Sequence, residues 1–169
     1  MRAVANTSYL RYTVEPWVRD QLAKRYGQGF SPMVLPLTPG GSHEFDAVSS
    51  DGRIVASIKA NSGLTSGGNY PTGKVATCLN EVYFLTLVEA EKRLLVLTNP
   101  AFHAIFTRAT AGQIAPGVTV ELLPLPPKMQ RMVNGVTELA SREMSREAVA
   151  AVTAFEAEEA GERGEDVRA

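Results

Sequence analysis

Glu44, Asp46, Ser57 and Lys59 stand within one short stretch, EFDAVSSDGRIVASIK. Between the two pairs lies Asp51-Gly52, which predicts a tight hairpin turn because both residues tolerate positive φ. A two-residue loop pairs Ser50 with Arg53, so facing residues sum to 103. A four-residue loop keeps that register and a three-residue loop breaks it. Asp46 then faces Ser57, and Glu44 faces Lys59. Side chains alternate faces along a strand. Phe45, Ala47, Ala56 and Ile58 are therefore expected on the core face, with Glu44, Asp46, Ser57 and Lys59 on the other. Two carboxylates, a hydroxyl and an ammonium on one patch suit metal-assisted chemistry. The plainer alternative is an exposed strand Asp beside a Glu44–Lys59 cross-strand ion pair worth ~0.2–1 kcal/mol. Strand interiors disfavour Asp, which favours a functional role for Asp46.

Other candidates are scattered along the chain. Glu15, next to Pro16, suits the positive end of a helix dipole and is also placed for chemistry. The segment Asn61–Gly73 holds four glycines and several hydroxyls. It is either a flexible linker or a binding loop in which Asn61, Tyr70 and Lys74 contact phosphate or a base. His43 is adjacent to Glu44 and could assist proton transfer, although a lone His is more often structural. Cys78, among Val75, Leu79 and Val82, reads as core. Arg19, Lys24 and Arg25 read as a solvated helix face.

The elements that must position these groups can be read from periodicity. Residues 14–26 suit a first helix, with Trp17, Val18 and Leu22 at helical spacing and Gly27 as a stop. A third strand is expected near Met33–Leu37, beside hairpin strands at about 43–49 and 53–60. Residues 75–92 are apolar nearly all round; their length and Glu-Ala-Glu-Lys end favour a helix over a buried strand. Arg93–Thr98 reads as a buried strand, 100–109 as a short helix and Val118–Leu123 as a further strand. That order predicts an α/β domain, a mixed sheet flanked by helices, over 1–127. From 128 to 169, Val133, Val136, Leu139, Met144, Val149, Val152 and Phe155 recur at helical spacing among many charges. An amphipathic helical extension that packs on the core or on a second subunit is expected there, with a disordered end after Gly161.

Composition bounds the class. The 169 residues suit one core. Residues 1–125 carry 11 Lys/Arg against 9 Asp/Glu, and 126–169 carry 6 against 9, which sums to the net charge of −1. This does not announce nucleic-acid binding, yet one local patch is enough to contact phosphates. No apolar run approaches the ~18 residues of a membrane span, and the opening residues lack a signal peptide's apolar stretch. A single Cys and no zinc-like spacing make a reducing cytoplasm the simplest compartment.

In this order of elements, with Asp46 on one hairpin strand and Lys59 near the end of the next, the chain resembles the restriction-endonuclease-like, or PD-(D/E)xK, nuclease superfamily over roughly residues 10–125. The resemblance implies hydrolysis of phosphodiester bonds in nucleic acid, DNA foremost, with Mg²⁺ or Mn²⁺. It implies Asp46 and the Ile58 carbonyl as metal ligands and Lys59 as the group that orients water and stabilises developing charge. Glu15 matches the glutamate often found in that family's first helix. The chain departs from the pattern at Ser57, which stands at the second acidic position. The missing carboxylate is expected from Glu81, on the following helix, or from Glu44. Without either, a catalytically inactive nuclease-like fold serving as a nucleic-acid-binding or assembly module is the alternative. A soluble α/β protein with no nucleic-acid role is a third reading, in keeping with the near-neutral charge. A homodimer through the C-terminal segment would supply two sites for a duplex.

Overall fold

Glu15 and Pro16 open the first helix, α1 (Glu15–Tyr26). Proline in a first turn removes no ladder bond, and an acidic residue suits that end of the dipole. Gly27 closes the helix at φ 70°, donating its N–H to the Ala23 carbonyl. The computed structural model describes residues 9–38, 40–64 and 68–137. Ahead of α1, Leu10–Val14 forms a π-helical turn, so the helical path begins earlier than the periodicity predicted.

Among the described residues five strands follow: β1 (Phe30–Pro36), β2 (Ser42–Ser49), β3 (Ile54–Lys59), β4 (Lys92–Leu97) and β5 (Val118–Leu122). They lie side by side in chain order. The pairs β1–β2 and β2–β3 are antiparallel; β3–β4 and β4–β5 are parallel. Parallel neighbours need long crossovers, here α2 (Thr72–Leu87) and α3 (Pro100–Ala109). The stretch 75–92 is thus a helix that stops short of its expected end. Glu91 and Lys92 both donate to the Arg53 carbonyl, which starts β4 beside the beginning of β3. Asn99 caps α3, its side chain accepting from the Phe102 N–H at 2.9 Å. The chain is an α/β domain with a mixed sheet flanked by helices.

The hairpin keeps its expected register, with Ala47 opposite Ala56 and Val48 opposite Val55. Its loop spans 50–53, the four-residue length that preserves that register. Gly52 sits at φ 72° and donates to the Ser49 carbonyl, while Asp51 Oδ1 accepts from Ser49 Oγ and the Arg53 N–H.

The expected sorting of faces is corrected at Phe45 and at Glu44. Ala47, Ala56 and Ile58 share a buried cluster with Val14, Val18 and Leu22 on the α1 side. Phe45 does not join them; it lies in the opposite cluster with Val55, Leu95, Leu97 and the apolar faces of α2 and α3. The cause is a slip between β1 and β2. Ser31 faces Val48 and Met33 faces Phe45, so Pro32 alone opposes Asp46 and Ala47. An extra residue on one strand is a β-bulge, and it reverses the alternation beyond it.

Both sheet faces are therefore buried. The C-terminal extension begins on the α1 side: residues 127–137 are helical, and Val133 is 1% exposed within that cluster. The apolar positions from Leu139 onward and the tail expected to be disordered lie outside the described residues. At the other end of the sheet order, β1 exposes Met33 (44%) and Val34 (60%) between Pro32 and Pro36. No helix of the described residues is long and apolar enough to cross a membrane.

Candidate functional site

The β2–β3 ladder ends at Ala47 and Ala56, and Asp46 stands where the strands part. Its Oδ2 accepts the Ile58 N–H at 2.7 Å, taking the place of a backbone acceptor. A strand residue's N–H and C=O point the same way, so the Ile58 carbonyl also faces this opening. Lys59, the next residue, turns its carbonyl the other way, to the Thr98 N–H. Among the described residues no donor bonds Asp46 Oδ1.

Glu81 reaches the same region from α2. Its Oε1 accepts from Lys59 Nζ at 2.7 Å. Its Oε2 accepts from Ser57 Oγ at 3.0 Å and lies 3.3 Å from His43 Nε2. The Ser57 hydroxyl thus binds a carboxylate delivered by the next helix. Glu44 behaves otherwise. The expected Glu44–Lys59 pair is absent, because Glu44 is exposed and paired with Arg11 at 3.3 Å. The bulge separates Glu44 from the Lys59 side of the sheet.

On the α1 side Asp46 borders a cleft of about 350 Å³, lined by Arg11, Tyr12, Glu15, Pro16, Arg19, Pro32 and Glu44 as well. Glu15 faces this cleft and lies 3.4 Å from the Arg19 guanidinium. Arg19 also donates to the Asp46 carbonyl at 2.8 Å, with its side chain only 14% exposed. The sequence reading placed Arg19 on a solvated face with Lys24 and Arg25. Lys24 does pair in solvent with Asp20, and Arg25 pairs with Glu121. Arg19 instead fixes the backbone at the bulge. Its one sequence signal was the spacing from Glu15, four residues back on the same helix face.

Electrostatics separate the carboxylates. Burial pushes Asp46 above the ordinary aspartate value, with the Glu81 charge adding to the rise; the Ile58 N–H and the Lys59 and Arg19 charges only partly oppose it. Glu15 is raised by burial and by the Asp46 charge. Glu81 goes the other way. Burial alone would raise it, but the Lys59 bond and charge, with Ser57 and His43, hold it below its ordinary value.

Comparison with protein-family models, with curated proteins and with solved structures finds no match to this chain.

The loop candidates are arranged differently from a free binding surface. Lys74 lies on α2, and its ammonium donates to Ser62 Oγ and to the Ser62 and Leu64 carbonyls. Asn61 donates to Cys78 Sγ at 3.7 Å. Tyr70 is exposed. Cys78 is buried, as expected, and burial pushes its thiol up to about 11.

The oxygens at this opening are of the kind that a partly hydrated hard cation takes. Mg²⁺ is ordinarily held by one or two carboxylates with several waters retained. Asp46 Oδ1, the Ile58 carbonyl and Glu81 Oε1 are oxygen donors of that kind. Among the described residues, no three His, Cys, Asp or Glu side chains gather as a cage, so tight binding by protein ligands alone is not built in.

Proposed function

We propose that this chain is a restriction-endonuclease-like protein that hydrolyses phosphodiester bonds in nucleic acid, DNA foremost, with Mg²⁺ or Mn²⁺. The observation that carries the reading is Glu81. It arrives from the helix after the hairpin and bonds both Ser57 and Lys59. A carboxylate is thereby supplied beside the position where the hairpin itself lacks one. Asp46, the Ile58 carbonyl and Glu81 would hold the cation. When bound, that ion supplies Lewis acidity toward a phosphoryl oxygen and a more acidic water. Lys59 orients the attacking water and offsets charge developing on the phosphoryl oxygens. Arg19, paired with Glu15, holds the Asp46 carbonyl from the α1 side. Pairing of the C-terminal segment, 128–169, with a second copy would present two such sites to a duplex; its residues beyond 137 lie outside the described residues.

A second reading is a nucleic-acid-binding or assembly module that does not cut. The lack of a three-acid cage and the neutral Ser57 favour it.

Calorimetry with Mn²⁺ separates the two. Weak binding that Asp46→Ala abolishes, accompanied by nicking of plasmid DNA, supports the nuclease. Absence of divalent-ion binding even with DNA present supports the silent module. Ser57→Glu sharpens the test. A second carboxylate beside Glu81, with no cation to share, repels it. The variant should melt lower than wild type without metal and gain more from Mn²⁺ than wild type does. Equal metal responses would remove Ser57 from the ligand position.

A further inference from the structure

His43 is used by none of the steps above, yet it is held more firmly than a solvated strand residue needs to be. Its ring stacks flat on Phe84, with centroids 4.0 Å apart and planes 9° apart. Its edge meets Phe45 at 4.8 Å and 77°. Phe84 lies three residues after Glu81, so both project from one face of α2. One imidazole on β2 therefore meets α2 at two points, a ring stack on Phe84 and a polar contact with Glu81. The Nε2–Oε2 separation of 3.3 Å is just beyond the usual hydrogen-bond range. A donor at that distance adds more to direction than to strength.

We propose that His43 is a positioning residue that holds Glu81 to monodentate contact with a cation. The role in metal binding rests on the nuclease reading; the positioning of Glu81 does not. An ionised carboxylate has about four acceptor sites. Ser57 occupies one site on Oε2, His43 faces the other and fills it when Nε2 carries the proton, and Lys59 takes one site on Oε1. What remains for a cation is a single position on Oε1. Mg²⁺ and Mn²⁺ accept such single-oxygen contacts, whereas Ca²⁺ readily takes a carboxylate through both oxygens. His43 thus favours the smaller ion by keeping Oε2 engaged.

Three measurements test this. In the metal-free wild type, long-range nitrogen–proton spectra should place the neutral imidazole proton on Nε2. A proton found only on Nδ1 overturns the proposal without any variant being made. His43→Phe keeps a ring for the stack and removes the donor. It should move the Glu81 carboxylate carbon resonance without metal; an unmoved resonance also overturns the proposal. With Mn²⁺, loss of an outer-shell partner typically weakens affinity by about 10–100-fold. His43→Phe should show a loss of that order, with Ca²⁺ weakened less. His43→Gln, which restores an N–H donor, should recover most of it, and His43→Phe should cost nothing further in a Glu81→Gln background. Wild-type Mn²⁺ affinity in His43→Phe rejects the metal-selecting role. If wild type binds no divalent ion, the nuclease reading and the metal-selecting role fall together. The tautomer and the carboxylate resonance then still decide whether His43 positions Glu81.

Discussion

Asp46 is held against its own charge. Burial disfavours the ionised form more than Ile58, Lys59 and Arg19 favour it, so the folded state binds this proton more tightly than the unfolded chain does. For a carboxylate raised on folding, the contribution to stability is present below the unfolded value and lost as pH rises through the folded one. At neutral pH Asp46 therefore weakens the fold. Asp46→Asn keeps an oxygen for the Ile58 N–H and discards the charge. It should unfold at higher urea than wild type at pH 7 while losing metal binding. The advantage should close as pH falls below the ordinary aspartate value of 3.8. A variant less stable than wild type at pH 7 would contradict this account. Glu81 has the opposite sign: its folded value is depressed, so its contribution is present above its ordinary 4.5 and lost as pH falls through the folded value.

At the scale of elements, local signals were legible and non-local ones were not. Asp51-Gly52 fixed the hairpin register, because a turn and its flanking pairs are set by a few adjacent residues. Gly27 marked a helix end for the same reason. Glu81 was singled out because the resemblance allows a carboxylate on the helix after the hairpin, and it bonds Ser57 and Lys59. The bulge was invisible, since it depends on Pro32 of β1 opposing both Asp46 and Ala47. That one slip sent Phe45 to the far face and left Glu44 to Arg11. Arg19 was misplaced because a basic residue at helical spacing looks solvated until the strand beneath it is known. Caps can be tested by themselves. Gly27→Ala meets no atom within 4 Å, so its penalty is conformational. Placing a Cβ at φ 70° should lower stability by about 1–2 kcal/mol in denaturant melts and leave the Mn²⁺ response unchanged. A changed metal response would mean that α1 is displaced.

The whole molecule is a sheet covered on both sides, and its C-terminal extension takes part in one of the coverings. Val133 and Leu125 join Val14, Val18 and Leu22 in a single cluster. The sequence alone left open whether the extension folds on its own core or on a second copy. The described part, to 137, folds on its own core; the apolar positions beyond it lie outside the described residues. Truncation after Pro127 should therefore cost stability as well as any dimer. Full burial of one such side chain contributes about 1.5–3 kcal/mol, and the loss should be at least that large in urea melts. Truncation after Thr137 keeps Val133 in its cluster and should melt above truncation after Pro127. Equal midpoints for the two truncations would show that Val133 contributes little.

The prolines of β1 bear on a different property, the protein's behaviour when crowded. Among the described residues β1 lies at the margin of the sheet, with Met33 and Val34 facing water. A margin of unpaired backbone with apolar side chains is a template for further strands, and natural sheets interrupt such margins with proline. Pro32 and Pro36 each lack the N–H that an incoming strand would need. Replacing both by Val gives the run FSVMVLVL, uncharged and rich in β-branched residues, the composition from which fibrils nucleate. The double variant should fold to the same circular-dichroism spectrum yet develop thioflavin fluorescence within an incubation that leaves wild type clear. If both stay clear at millimolar concentration, the prolines serve only the bulge beside Asp46 and not solubility.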